Sequence, residues 1–188
     1  MKLDELRDAL PASEWLAEAE SRAKAEPDAL PGLFARADRK LGREPIAGGW
    51  TAGQVGRAVL LRDQDPATII EIYEHGDAAE KLAVLKALPL LNMGDAGVPL
   101  LLDALRTNDT RLVAAALGGY AEHLDAATWR QGVIKLVFMG VPLDAVADLD
   151  RRADAELAQM LRSLADERAA AGREMPADAT ALLEKLEA

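Results

Sequence analysis

Asp65, Asp95 and Asp125 stand thirty residues apart, and each precedes an apolar run spaced for an α-helix. A short acidic side chain at such a position can accept a backbone N–H that the first helical turn leaves unpaired. A second helical pattern follows each of the three. A chain with this rhythm buries its apolar faces by packing helix on helix, as stacked helical hairpins do. The fold class is therefore all-α. It is either a HEAT-like α-helical hairpin array or an irregular multi-helix bundle, because the segments resemble one another poorly and their second helices drift in phase. Residues 1–188 read as a single all-helical domain, a size that one core can organise.

Helix boundaries are legible along much of the chain. Ser13 caps a helix with Leu16, Ala19 and Ala23 inward. Gly42 ends the helix that follows Pro31. Thr51 with Gln54, and Asp77 with Glu80, have capping-box spacing. Asp65–Pro66 sets a cap beside a proline at the first helical position. Residues 105–143 hold two further segments. The first starts at Asn108 or Asp109 and carries Leu112, Val113, Ala116, Leu117 and Tyr120. The second starts at Asp125, carries Trp129, Val133, Leu136 and Val137, and stops at Gly140 before Val141 and Pro142. Beyond it, Leu143, Val146 and Leu149 predict a short helix, Asp154 begins a longer one, and Pro176 precedes a terminal one.

Half of the residues are apolar, enough for a sizeable core, while aromatics are 4%. The net charge of −10 opposes binding to nucleic-acid phosphates and anionic lipid. Cysteine is absent, which removes disulfides and thiolate metal sites. No stretch has the pattern of a signal peptide or the length of a membrane span, so the expected setting is the cytoplasm, without direct membrane insertion.

Chemistry is sparse. The two glycines of residues 43–49 match neither a dinucleotide fingerprint nor a P-loop, and capping at Thr51 explains them better. Glu71 and His75 share a helical face without a second ligand pair, and Asp63-x-Asp65 and Asp148-x-Asp150 fall short of a magnesium–diphosphate motif. His123 beside Asp125 could serve as a general base, although a hydrogen-bonded helix-end residue is the commoner use. No catalytic residue, metal site or cofactor is assigned. Lys135, between Ile134 and Leu136, has apolar neighbours on both sides, so its ammonium must pair with an acid, reach water or lose its proton. Alternatively it contacts a ligand in a groove. With Asn108, Arg111, His123, Trp129 and Gln131 it makes the candidate ligand- or partner-binding set.

The segments TND at 107–109, WRQGVIKLVFMGVPL at 129–143 and LDRRADAELAQML at 149–161 resemble the EboA family. WTAGQVGRAVLL at 50–61 is a weaker echo, and the likeness thins toward both ends. The resemblance implies a bacterial metabolite-traffic protein of secondary metabolism, encoded beside a UbiA-like membrane prenyltransferase and TIM-barrel proteins. Its partners would be a small-molecule metabolite or proteins of the same gene cluster. The family carries no established catalytic motif. Three functions remain open: a non-catalytic binder of a metabolite, a scaffold for partner proteins, and an enzyme acting on an isoprenoid-like or other metabolite.

Overall fold

The computed structural model describes all 188 residues. It contains α-helices and short 3-10 turns, and its one β-bridge joins Pro45 to Thr51. Its contacts divide into two compact units, Met1–Gly97 and Val98–Ala188.

The first unit holds α1 (Leu3–Asp8), α2 (Glu14–Ala25), α3 (Leu30–Leu41), α4 (Ala52–Leu61), α5 (Pro66–His75) and α6 (Ala78–Ala87). Its organiser is α4, in which every residue but Gln54 is buried. A helix that is apolar nearly all round can only be an interior one, and α1, α2, α3 and α6 pack around it. The expected caps are present: Ser13 on α2, the Thr51–Gln54 box on α4, Asp65 on α5 and the Asp77–Glu80 box on α6. Pro89 lies in a 3-10 turn, Leu88–Leu90, where α6 has already ended.

Small residues set the spacing of α3 and α4. A Cβ on Gly53 would lie 2.9 Å from the Asp38 Cα, whereas one on Gly56 would meet the Leu41 Cδ1, the movable end of a side chain. Alanine is the better helix former by about 1 kcal/mol. Gly53→Ala is nevertheless expected to destabilise the protein, since overpacking costs about 1–3 kcal/mol. Gly56→Ala should shift a urea midpoint less, and the reverse order would show that Gly53 does not set the α3–α4 distance.

The second unit holds α7 (Val98–Arg106), α8 (Thr110–Ala116), α9 (Ala126–Met139), α10 (Leu149–Arg152), α11 (Ala155–Ala170) and α12 (Ala177–Glu187). Contacts run from α7 to α8, from α8 to α9, from α9 to α11 and from α11 to α12. Asp109, not Asn108, caps α8, and Asp125 and Asp154 cap α9 and α11. Gly140, left-handed at φ 71°, closes α9, with Val141 N–H returning to Leu136 O at 3.0 Å.

Three expectations change. The thirty-residue rhythm fails at Asp95, which lies in a turn three residues before α7 begins. Tyr120 is not in α8: the helix stops at Ala116, and Gly118 and Gly119 redirect the chain into a 3-10 turn, Gly119–His123. A continuous helix through Leu143, Val146 and Leu149 is likewise absent. A 3-10 turn, Leu143–Ala145, is separated from α10 by Asp148, whose φ of 55° interrupts helical geometry. Some sequence-adjacent helices pair, among them α3 with α4, α7 with α8 and α11 with α12, but helix lengths from 4 to 16 residues do not repeat one module.

Candidate functional site

The Asp125 cap accepts from Thr128 N at 2.9 Å and from Thr128 Oγ1 at 2.7 Å, and so fixes where α9 begins. From there Trp129, Val133, Leu136 and Val137 face the core. Gln131, Lys135 and Phe138 recur at helical spacing on the outer side, the first and last of them exposed. Gly132 lets α9 approach its neighbours: a Cβ there would lie 2.9 Å from Leu117 Cδ2 and 3.2 Å from Leu105 Cδ2. Along this contact runs a groove of about 380 Å³. Leu102, Leu105 and Arg106 of α7 line one side, and Thr128, Gln131, Gly132 and Lys135 of α9 line the other.

Lys135 is half-buried at one end of this groove. It resolves its shielding in a way the sequence reading did not include. Its ammonium donates to Leu105 O at 2.6 Å and to Thr107 O at 2.7 Å. The end of a helix leaves carbonyls unpaired and carries partial negative charge, so a cation there is favourable. Thr107 Oγ1 donates to a third carbonyl, Ala104 O, at 2.8 Å. No carboxylate pairs with Lys135.

Of the six candidate residues, Gln131 and Lys135 line the groove. Trp129 is on the same helix but is 1% exposed, so it is core and offers no surface to a ligand there. Asn108 is exposed in the loop after α7. Arg111 is engaged locally, with its Nε and NH2 at 3.0 and 2.6 Å from the Asp109 carboxylate. That bond holds the Asp109 carboxyl below its ordinary pKa and raises the Arg111 guanidinium. His123 rests beside the Tyr120 ring, their centroids 4.5 Å apart. Asp125, its imagined acid–base partner, already binds Thr128 through both oxygens.

Two basic residues behind the groove were not assigned roles from sequence. The Arg152 guanidinium lies 4.7 Å over the Trp129 ring and donates to Ala121 O and, at 2.9 Å, to Leu124 O. Burial lowers its pKa from the usual arginine value. Arg130 binds Asp154 and reaches Glu156, each at 3.0 Å through NH2, and so ties α9 to the first turn of α11. Its hydrogen bond holds the Asp154 carboxyl below the ordinary range. The available signal was weak: Arg130 is a single cation beside Trp129, and Arg152 is the second of a pair just before the Asp154 cap.

In the first unit, Lys86 shows the same habit. Its ammonium donates to Gly49 O at 2.6 Å and Gln54 Oε1 at 2.7 Å and lies 4.7 Å over the Trp50 ring, and burial lowers its pKa. The glycine loop is thus a carbonyl partner for a lysine. His75 Nδ1 lies 3.0 Å from Glu71 O, the main-chain carbonyl one turn earlier on α5.

The fold is that of an all-helical protein, and its second unit carries, among other hollows, a part-apolar, lysine-bearing cleft between α7 and α9. The chain belongs to the EboA family: the family model described as "Metabolite traffic protein EboA" matches residues 35–184, from within α3 into α12. No match was found among curated proteins or among solved structures. None of the helices is long and apolar enough to cross a membrane.

Proposed function

We propose that this chain is a non-catalytic accessory protein of secondary-metabolite traffic that holds its metabolite, a small and in part apolar molecule, in the α7–α9 groove. The observation that carries this reading is the groove itself. Its volume of about 380 Å³ falls among those of small-molecule sites. It joins the apolar Leu102 and Leu105 to the polar Gln131 and Lys135, the mixture that such sites use to hold and orient a ligand. A prenylated metabolite suits the apolar wall and the UbiA-like prenyltransferase expected in the same gene cluster, and the setting is the cytoplasm.

A scaffold role is the second reading. It is favoured by Phe138, 59% exposed, and Leu102, 38% exposed, two large apolar side chains held in water. The partner would be a protein of the gene cluster, such as the prenyltransferase.

Native mass spectrometry of the protein gently purified from its natural host separates these readings. A stoichiometric small adduct is expected. A retained protein subunit without one would move the assignment to the scaffold, and a bare chain would remove support for both. Lys135→Met is expected to release the adduct. It also leaves Leu105 O and Thr107 O without their donor, which costs about 1–3 kcal/mol. Adduct occupancy is therefore scored per folded molecule. Retention at full occupancy by the folded Lys135→Met protein would make the lysine purely structural.

A further inference from the structure

We infer that the α7–α9 groove selects an amphiphile with a single anionic head, a carboxylate, placed at Lys135 with its apolar body along Leu102 and Leu105. This rests on the proposed metabolite-binding role and specifies its ligand class.

The charge distribution carries the inference. An ammonium has three N–H donors, and Lys135 uses two of them on Leu105 O and Thr107 O. Those carbonyls are neutral, so they satisfy hydrogen bonds without cancelling the charge. One donor remains at the groove, and the helix end offsets the positive charge only in part. Arg106, the other cation of the lining, already has Asp103 Oδ1 at 3.4 Å.

The lining contains no carboxylate at all. That is unexpected in a chain with 32 acidic and 22 basic residues. The hollow beside α10 and α12 carries Asp144, Asp148, Asp150 and Asp178 against Arg151 and Lys185, so acids outnumber bases there. The one beside α5 carries Glu71 and Glu80, and the one beside α11 carries Glu156 and Glu167. An anion would be repelled at each of those and is drawn to this one.

Gln131 stands one turn before Lys135, on the same side of α9 and in the same lining. Its amide N–H and the remaining Lys135 donor can serve the two oxygens of one carboxylate. One lysine, its charge offset only in part, matches one negative charge. A diphosphate would bring several charges to a site with one free cation, so a monoanion fits better.

The test is calorimetric titration of the intact protein with decanoate, decanol and decyltrimethylammonium, each below its micelle concentration. Decanoate is expected to bind one per chain, about tenfold or more tighter than decanol, with the cation weakest. Lys135→Gln should erase the difference between decanoate and decanol. Leu102→Asp puts a carboxylate into the lining and should remove decanoate's advantage over decanol, with affinity scored per folded molecule because much of Leu102 is buried. Leu102→Trp, which fills the groove, should weaken all three probes. Equal binding of decanoate and decanol, both blocked by Leu102→Trp, would overturn the anionic head and leave the groove as a ligand site. Binding insensitive to Leu102→Trp, or no saturable binding by any probe, would overturn the head and the metabolite-binding role together, leaving this face to a protein partner.

Discussion

Arg57→Ala is expected to lower the stability of the first unit by about 3–5 kcal/mol, the range for removing one partner of a buried ion pair. Arg57 is 3% exposed in the middle of α4. Its NH1 lies 2.9 Å from Asp38 Oδ1, its Nε donates to Phe34 O at 3.1 Å, and its guanidinium carbon lies 5.4 Å over the Phe34 ring. Every one of these contacts is to α3. Without the arginine, the Asp38 carboxylate stays largely buried with Arg43 Nε at 3.2 Å, an exposed partner that water screens. The loss should thus reflect the stranded acid more than the worth of the pair. Arg57→Met combined with Asp38→Asn removes both charges and should recover more than half of it. Urea denaturation followed by circular dichroism measures both, and amide exchange over α3 and α4 localises the effect. A shift below about 1 kcal/mol for Arg57→Ala would mean that Arg43 replaces it and that the pair does not hold the two helices together.

Capping made much of this architecture readable in advance. Ser13, Thr51, Asp65, Asp77, Asp125 and Asp154 are local signals: each side chain bonds a backbone N–H within three residues, so the information lies where the helix starts. The failures come where the deciding fact is not local. Asp95 has the residue type of a cap but sits in a turn ahead of its helix. Tyr120 continues the apolar spacing of α8, yet the two preceding glycines break the helix under it.

The site was only half legible for the same reason. Lys135 stood out because a charge among apolar neighbours is anomalous at short range. Its partners, Leu105 O and Thr107 O, are main-chain atoms about thirty residues away, and no side-chain pattern announces them. Leu102, Leu105 and Thr128 look like ordinary core or cap residues, and only the packing of α7 against α9 makes them walls of a groove. Arg57 and Arg152 belong to the family-like stretches, but what they do depends on α3 and on the 3-10 turn before α9. Conversely, Trp129 attracts attention as a large aromatic, and burial makes it a support for the helix that carries the groove.

Trp129→Ala is accordingly expected to lower the stability of the second unit by about 3–5 kcal/mol, as loss of a fully buried aromatic does. Two features make Trp129→Phe the more informative change. The Trp129 Nε1–H is buried without a hydrogen-bond partner, so the indole carries a desolvation cost that phenylalanine lacks. Against that, phenylalanine is smaller and offers Arg152 a weaker π-face. The net loss should stay below half of that for alanine. A double-mutant cycle with Arg152→Met isolates the cation–π contact, with a coupling of about 0.5–2 kcal/mol expected. Ligand affinity gives the decisive contrast. If Trp129 only supports α9, folded Trp129→Phe protein binds decanoate as the parent does, while Leu102→Trp protein does not. A loss of affinity in Trp129→Phe equal to that in Leu102→Trp would place the indole at the ligand, against its 1% exposure.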